Sequence, residues 1–381
     1  MFTAQWFSLG GMRCSPLNTA LYLLVEDLHM RKNNNLQRSK LKGYLFEIAV
    51  SKLLSENDYI SIENEVENRI RVDRDGFVEF KGRGGWHQID CPFDYGNNIP
   101  FVNPIRLLVE IKCYQKRIQK DQIREYIGVI KDIQENYIVE THQDIFSNRY
   151  NEIGVFVSAS GFSKEAEMLA FAHNIKTISY ENVELIRSIV DQIEYLEANY
   201  FDTSLCISRG NQVEFLRWFK GVVIEGRETE GAYERYELPE GIDNEISVLR
   251  ENINAVRSHF FANTNAGAFL HFISDELFPD ELFYELDTQV TRIHFQTDTR
   301  GRRRFWLQFS RDERRRRFYF TPPENLDMAA FWGGRRVLDE KERMFRELTL
   351  IRRIAGIKRT LTLQLDREWF DSHYRHAELE V

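Results

Sequence analysis

An eight-residue stretch in the first third of the chain reads Arg106-Leu107-Leu108-Val109-Glu110-Ile111-Lys112-Cys113. Every second side chain from Leu107 onward is apolar, which is the two-residue period of a β-strand with one buried face. Glu110 and Lys112 lie two residues apart, so they share the opposite face. Buried charge is costly unless it is paired or bound to a metal ion. The stretch therefore predicts a strand whose charged side chains are paired or bound to a metal ion at a functional site. The alternative is an edge strand with a solvated face.

The sequence around this strand predicts an α/β domain. Its amphipathic segments predict helices over 17–31, 40–55, 119–135, 164–173 and 181–198. Its extended segments predict strands near 66–73, 76–81, 153–158 and 175–179. Ser163 is a suitable N-cap for the helix at 164–173. Since that helix joins two strands through short turns, part of the sheet is expected to be parallel, and we expect a central mixed sheet flanked by helices.

Length and charge divide the rest of the chain. The 381 residues exceed the ~100–200 residues of one domain. Net charge is −5 over residues 1–199, −10 over 200–289 and +7 over 290–381. We predict an α/β domain at 1–199, an acidic and mainly helical region at 200–289, and a basic α+β region with a small antiparallel sheet at 290–381.

The elements expected beyond residue 200 are less regular. Periodicity predicts helices over 243–261, 266–278 and 338–355. Alternation predicts strands over 288–296, 302–309, 315–320 and 359–365. Together with the α/β domain, these elements predict a C-terminal α+β accessory region.

Composition excludes several classes of protein. Four cysteines without CxxC spacing cannot build a disulfide framework, which favours a reducing cytoplasm. The N-terminal sequence lacks the pattern of a secretory signal, and no apolar run approaches the ~20 residues of a membrane span. We therefore expect a cytoplasmic protein without a membrane partner.

Asp90 supplies a second carboxylate upstream of the charged strand. It follows Ile89 at the end of a predicted neighbouring strand, with 19 residues between it and Glu110. Two carboxylates suit a hard divalent cation such as Mg²⁺, and Lys112 could position a water, help to deprotonate it or stabilise charge on a phosphate. This combination indicates phosphodiester hydrolysis. Asp94 remains an alternative to Asp90 as the metal ligand.

Glu47 adds a third carboxylate from the helix at 40–55. Gly43 and Ser51 lie four residues before and after it, so one stripe of an otherwise apolar helix is small and polar. That stripe would let the helix approach the sheet and direct Glu47 toward Asp90 and Glu110, to ligate a second metal ion or to orient a water. An ordinary surface charge is the alternative.

These residues resemble the PD-(D/E)xK nuclease superfamily, and most nearly the Mrr-type restriction endonucleases. The resemblance covers about residues 40–180 and is carried by Gly43-Tyr44-Leu45-Phe46-Glu47, Gln88-Ile89-Asp90 and Val109-Glu110-Ile111-Lys112-Cys113-Tyr114. It implies a restriction-endonuclease-like core that cleaves DNA with Mg²⁺ or Mn²⁺, in prokaryotic restriction or anti-phage defence. It also implies that Asp90 and Glu110 are metal ligands, that Lys112 is the catalytic lysine and that Glu47 is an accessory acid and further ligand.

Other functions on the same core remain open. They are an RNase, a repair or recombination nuclease, and a non-catalytic nucleic-acid-binding or assembly subunit of a defence complex. The expected partners are DNA and either a second copy of the chain or other proteins of a defence complex.

The basic C-terminal region contains a candidate nucleic-acid interface. Two arginine clusters precede aromatic strands, and their members are Arg302, Arg303 and Arg304, followed by Arg314, Arg315, Arg316 and Arg317. Two such strands could contact a phosphate backbone and stack on bases. The alternatives are a solvated face neutralised by the acidic region, or a surface for a protein partner.

Overall fold

The computed structural model describes residues 40–55, 59–63, 68–73, 77–95, 102–136, 149–201, 209–225, 240–265, 267–297, 299, 303–323, 339 and 342–372. Up to residue 201 the elements are α1 (40–55), β1 (Tyr59–Ser61), β2 (Ile70–Val72), β3 (Val78–Lys81), β4 (Trp86–Gln88), β5 (Cys91–Tyr95), β6 (Ile105–Lys112), α2 (Lys120–Gln134), β7 (Asn151–Ser158), α3 (Lys164–Ala172), β8 (Lys176–Ser179) and α4 (Glu184–Tyr200). The predicted helix at 17–31 lies outside the described residues.

The elements after residue 201 begin with two helices and continue with strands. They are α5 (Arg209–Glu225), α6 (Ile242–Asn254), β9 (Ser258–Thr264), β10 (Phe269–Ser274), a 3₁₀ turn (Asp280–Phe283), β11 (Thr288–Thr297), β12 (Arg303–Phe309), β13 (Phe318–Phe320), a helical turn (342–345), β14 (Glu347–Ile354), β15 (Ile357–Leu365) and α7 (Arg367–Phe370).

A five-stranded mixed sheet organises residues 40–201, which we call the α/β unit. Its strand order is β1-β5-β6-β7-β8, with β6 at the centre. β5 runs antiparallel to β6, whereas β7 and β8 continue the sheet in parallel pairs. The predicted βαβ unit is β7–α3–β8, and Ser163 caps α3 by accepting a hydrogen bond from the Ala166 amide at 3.3 Å.

β6 is buried on both faces because helices cover both sides of the sheet. Val109 and Ile111 pack into a core with side chains of α1 and α4. Leu108 points to the other side, into a core with α2, α3 and the small antiparallel sheet β2-β3-β4. A central strand of this kind leaves only its ends for polar chemistry, and Glu110 and Lys112 lie at its C-terminal end.

The turn between β3 and β4 is held against the end of α2. A Cβ at Gly82 would lie 2.0 Å from Asp132 Oδ2, so only glycine allows this approach. Asp132 accepts hydrogen bonds from the Gly84 amide at 3.1 Å, and its Oδ2 lies 2.7 Å from His87 Nε2. His87 thus has a structural partner in the turn.

Seven strands close into a barrel, residues 258–372, in the order β10-β13-β12-β11-β15-β14-β9. Its interior is filled with phenylalanine and leucine side chains, among them Phe260, Phe272 and Leu361. The predicted helices at 266–278 and 338–355 are therefore wrong over most of their length, because β10 and β14 lie there. The expected small sheet is part of this barrel.

The buried cores do not follow the predicted segment boundaries. Phe215 of α5 and Leu249 of α6 share the core of α1 and α4, so the acidic helices pack on the α/β unit. β9 and β10, from the acidic segment, belong to the barrel. The boundaries at 199/200 and 289/290 thus do not coincide with the division of the cores.

Polar contacts join the barrel to the α/β unit. The Tyr180 hydroxyl lies 2.9 Å from His271 Nδ1 of β10, and the Asn182 amide donates to Thr321 Oγ1 at 3.2 Å. In the part of the chain that the structure describes, no helix has the length and apolar character needed to cross a membrane.

Candidate active site

Asp90, Glu110 and Lys112 form one hydrogen-bonded group at the C-terminal end of β6. Asp90 comes one residue before β5 and accepts a hydrogen bond from the Ile111 amide at 2.9 Å through Oδ2. Lys112 Nζ lies 2.5 Å from Glu110 Oε1 and 3.4 Å from Asp90 Oδ2. The antiparallel register, with Cys91 opposite Val109, brings the two carboxylates together across the strands.

The group is largely buried yet reachable from solvent. The exposed fractions of the three side chains are 10% for Asp90, 21% for Glu110 and 25% for Lys112. Burial raises the pKa of Glu110 to about 7, with the Asp90 charge adding to the rise and Lys112 opposing it. Burial lowers the pKa of Lys112, but Asp90 and Glu110 outweigh it and raise that pKa above its ordinary value. Lys112 therefore remains an ammonium ion.

Glu47 lies beside this group on α1. Burial raises its pKa well above the ordinary value, and the charges of Asp90 and Glu110 add to the rise against the opposing effect of Lys112. The carbonyl of Glu47 accepts a hydrogen bond from Cys91 Sγ at 3.7 Å, which fixes α1 against β5. Its Oε1 would lie 3.8 Å from a Cβ at Gly43, so the side chain runs along the small-residue stripe.

Tyr126 of α2 holds β6 and β7 at the site from the other face. Its buried hydroxyl donates to the Leu108 carbonyl and accepts from the Val155 amide at 3.1 Å. Tyr126 was not among the site residues predicted from the sequence. It could have been recognised as a tyrosine among the apolar positions of the helix that follows β6, because a buried hydroxyl there needs a hydrogen-bond partner.

Asp94 is not part of the group. It lies four residues along β5, roughly 13 Å from Asp90 at ~3.3 Å per residue, and forms a two-point ion pair with Arg106. Arg106 Nε lies 2.7 Å from Asp94 Oδ1, and its terminal nitrogen lies 3.1 Å from Oδ2. Arg106 is fully buried, so Asp94 is occupied in neutralising it.

The donor set of the site fits a divalent cation. Mg²⁺ in proteins is held by one or two carboxylates and keeps several waters. Asp90 and Glu110 are two such carboxylates. Burial and, after it, the Asp90 charge raise the pKa of Glu110, and a cation at this position would favour its ionised form. Within the described residues no group of three or more His, Cys, Asp or Glu side chains is arranged to hold a metal ion. Glu47 as a further ligand therefore stays a prediction.

The arginines predicted to contact nucleic acid have different environments. Arg316 is buried and ion-paired with Asp312 at 2.8 Å and with Glu281, so it is unavailable, and its assignment as a contact is wrong. Arg314, Arg315 and Arg317 are exposed on the segment before β13. Arg303 and Arg304 are half-buried on β12, and Arg304 forms an ion pair with Glu184 at 3.1 Å. Arg302 lies outside the described residues.

Comparisons with known proteins agree with the geometry of the α/β unit. Residues 38–187 match the family model described as "Mrr_cat: Restriction endonuclease". The search of curated proteins found no match. A solved structure titled "Crystal Structure of Protein of Unknown Function AF1548" aligns with 55% of this chain and 95% of its own, at 15% identity and a TM-score of 0.31. Residues 38–187, less than half of the chain, are therefore similar to the restriction endonucleases that this family model describes.

Proposed function

We propose that the α/β unit is a metal-dependent endodeoxyribonuclease that hydrolyses DNA phosphodiester bonds in prokaryotic restriction or anti-phage defence. The observation that carries this proposal is the hydrogen-bonded group of Asp90, Glu110 and Lys112 at the end of β6. The family match over residues 38–187 supports DNA as the substrate.

Each side chain has a separate role in this proposal. Asp90 and Glu110 would hold Mg²⁺ or Mn²⁺, with Glu47 as accessory acid or further ligand. When bound, the ion supplies Lewis-acid stabilisation of charge on the phosphate. The ammonium group of Lys112 donates hydrogen bonds that orient the attacking water and balance charge on the phosphate oxygens. Its raised pKa favours this role over proton abstraction.

Cleavage of plasmid DNA tests the proposal directly. We expect the purified protein to nick or cut plasmid with Mg²⁺ but not with EDTA, and we expect Lys112→Ala to lose at least ~100-fold of the rate, as for a group that acts at the reacting atoms. Lys131→Ala, which removes an exposed lysine at the far end of α2, is the matched control. No metal-dependent cleavage of DNA or RNA, or cleavage that survives Lys112→Ala, contradicts the nuclease proposal.

The same assay separates the alternatives. Cleavage of RNA alone indicates an RNase, and binding of DNA without cleavage indicates a non-catalytic subunit. A double-strand cut favours a homodimer, because one such site cuts one strand at a time. Loss of protection against phage in cells carrying Lys112→Ala distinguishes defence from repair or recombination.

We also propose that the exposed arginines of the barrel contact DNA. Arg314, Arg315 and Arg317 lie together before β13, and Arg317 lies over the Trp306 ring at 5.1 Å. Replacing these three by Ala, with Arg316 retained because it is buried, is expected to weaken DNA binding. The slope of log affinity against log salt should become shallower by about 0.9 for each phosphate that the variant no longer binds. An unchanged affinity and slope would remove the barrel from the interface.

A further inference from the structure

A cavity of about 440 Å³ opens at the end of β6, and its lining begins at Cys113, the residue after Lys112. This volume is within the range of roughly 300–1,000 Å³ that accommodates small ligands. Its walls are the loop that follows β6, the start of α2, and one side chain each from α1 and α4. Tyr114, Gln115, Lys116 and Gln122 give it a lining of hydroxyl, amide and ammonium groups.

The cavity adjoins the proposed catalytic group from two directions. Cys113, in its wall, directly follows Lys112 in the chain, and Glu47 is among the charges that act on its thiol. Gln122 lines the cavity from α2, and Glu125, one turn later, is among the charges that act on Glu110. The cavity and Glu110 are therefore neighbours at the same end of β6.

The loop that forms the wall is held rigidly from behind. The Ser160 hydroxyl donates to the Lys116 carbonyl at 2.7 Å, and the Ile118 amide donates to the Gly161 carbonyl at 2.9 Å. Arg117 is ion-paired with Glu181 at 2.9 Å. Such anchoring fixes the side chains of the loop before a ligand arrives, which lowers the entropic cost of binding.

Charge in the cavity is concentrated on one side chain. Lys42 is paired with Glu194 at 2.8 Å and with Glu197, the carboxylate in the cavity wall, at 3.5 Å, and Arg117 is paired with Glu181, so these charges are balanced within the protein. Lys116 is exposed and has no ion-pair partner among the described residues. Tyr114, two residues earlier in the same loop, also lines the cavity and is 46% exposed. An ammonium group next to an exposed ring suits a phosphate followed by a sugar or base.

We infer that this cavity binds the DNA strand next to the bond that is cleaved, with Lys116 on a backbone phosphate and Tyr114 against the adjoining nucleotide. The inference rests on the proposed nuclease function and names two substrate-binding residues for it. Both bind substrate away from the reacting atoms, so they contribute to ground state and transition state alike.

Steady-state cleavage and binding of one duplex oligonucleotide test the inference. We expect Lys116→Ala and Tyr114→Ala each to raise KM about tenfold, the effect of ~1.4 kcal/mol, while kcat stays within about twofold. Fluorescence anisotropy in EDTA should show a similar rise in Kd, and for Lys116→Ala a salt slope smaller by about 0.9. Lys116→Arg should restore the binding, and Lys131→Ala should match the wild type.

The two proposals can fail separately. If the wild type cleaves DNA but Lys116→Ala and Tyr114→Ala behave like Lys131→Ala, the cavity inference is wrong and the nuclease function stands. If the wild type binds DNA without cleaving it, the nuclease proposal fails. The anisotropy measurements in EDTA then show by themselves whether Lys116 and Tyr114 bind DNA. If the wild type neither binds nor cleaves DNA, both proposals fail. Circular dichroism shows whether each variant is folded, and the exposed positions of both residues favour normal folding.

Discussion

Two aspartates at and just before β5, four residues apart, have different surroundings. Asp90 is bonded to the Ile111 amide and to Lys112, whereas Asp94 neutralises the buried Arg106. The sequence left these two as alternatives, because both precede the same strand. The strand register separates them, since it places Asp94 opposite Arg106 and Asp90 beside Glu110.

Exchange of each aspartate for asparagine should therefore give opposite results. We expect Asp90→Asn to abolish Mg²⁺-dependent cleavage with little loss of stability. Asp94→Asn should retain cleavage but lose about 1.5–3 kcal/mol of stability, because Arg106 loses a charged hydrogen-bond partner. Urea denaturation and the plasmid assay measure the two effects. If Asp94→Asn abolishes cleavage while Asp90→Asn does not, the assignment of the metal ligand is reversed.

Arg316 shows how an arginine in a basic run becomes structural. Its side chain is 6% exposed and that of Asp312 is 2% exposed. Burial alone would raise the pKa of Asp312, but hydrogen bonds from Arg316 outweigh it and hold that pKa below its ordinary value. The sequence shows that residues 314–317 are all arginine, but only the fold shows that Arg316 is the one whose side chain is buried.

Breaking this pair should unfold the barrel more easily. Arg316→Met leaves a buried carboxylate without its main partner, at an expected cost of ~3–5 kcal/mol, whereas Arg315→Met, an exposed neighbour, should cost almost nothing. Because the native pKa of Asp312 is lowered, its contribution is present above the ordinary carboxyl pKa and is lost as pH falls through the native value. Thermal unfolding at pH 7 and pH 3 measures both effects, and equal stability of the two variants would contradict them.

At the scale of elements, local pattern succeeded where apolar and charged positions recur at the period of the element. β6, α2 and α3 lie within a residue or two of their predicted bounds for this reason, and in β6 the charged Glu110 and Lys112 mark the alternation. β10 was missed because apolar side chains occupy both of its faces. Phe272 faces the barrel interior and Ile273 the core of the α/β unit, so no charged residue marks an alternation in this strand.

β14 was missed for a different reason. Residues 338–355 contain apolar side chains at helical spacing, but pairing with β9 and β15 overrides that preference from Glu347 onward. The pairing with β9, for example of Leu348 with Thr264, joins distant segments that no local window contains, whereas β14 and β15 form a hairpin that turns at Ala355 and Gly356, both at positive φ.

The barrel interior makes β10 sensitive to truncation. Phe272 is fully buried and its ring centroid lies 4.8 Å from those of Phe260 and Phe320. We expect Phe272→Ala to cost ~3–5 kcal/mol in a denaturant titration, because it removes this packing and leaves a cavity. Tyr284→Ala, at a ring that is 61% exposed, is the control and should cost under ~1 kcal/mol. Equal costs would mean that β10 does not line the core.

At the scale of the whole molecule, a buried polar chain joins the α/β unit to the barrel. The Tyr180 hydroxyl meets His271 Nδ1 at 2.9 Å, and His271 Nε2 meets His259 Nδ1 at 2.9 Å. Phe261 stacks on the His271 ring with centroids 4.1 Å apart. No local sequence pattern could indicate this set of residues, because Tyr180 belongs to the α/β unit while His259 and His271 lie on β9 and β10 of the barrel.

The hydrogen-bonded residues Tyr180, His271 and His259 should make the stability of the molecule depend on pH near neutrality. Burial lowers the pKa of His271 well below its ordinary value, and the charge of His259 adds to the effect. In the unfolded protein, His271 therefore takes up a proton near the ordinary histidine pKa of about 6.5. In the folded protein, His271 stays neutral at that pH. Stability is thus highest above that pH and falls as the pH decreases toward the native pKa.

Thermal unfolding at pH 7.5 and pH 5.5 measures this dependence. We expect His271→Phe to be less stable than the wild type at pH 7.5 by about 1–3 kcal/mol, because Tyr180 and His259 lose a buried hydrogen-bond partner. Between the two pH values, however, the variant should lose less stability than the wild type, since it lacks the group whose protonation favours the unfolded chain. His173→Gln, an exposed histidine on the α/β unit, controls for general effects of pH. If His271→Phe and the wild type lose equal stability on acidification, protonation of His271 does not control the pH dependence.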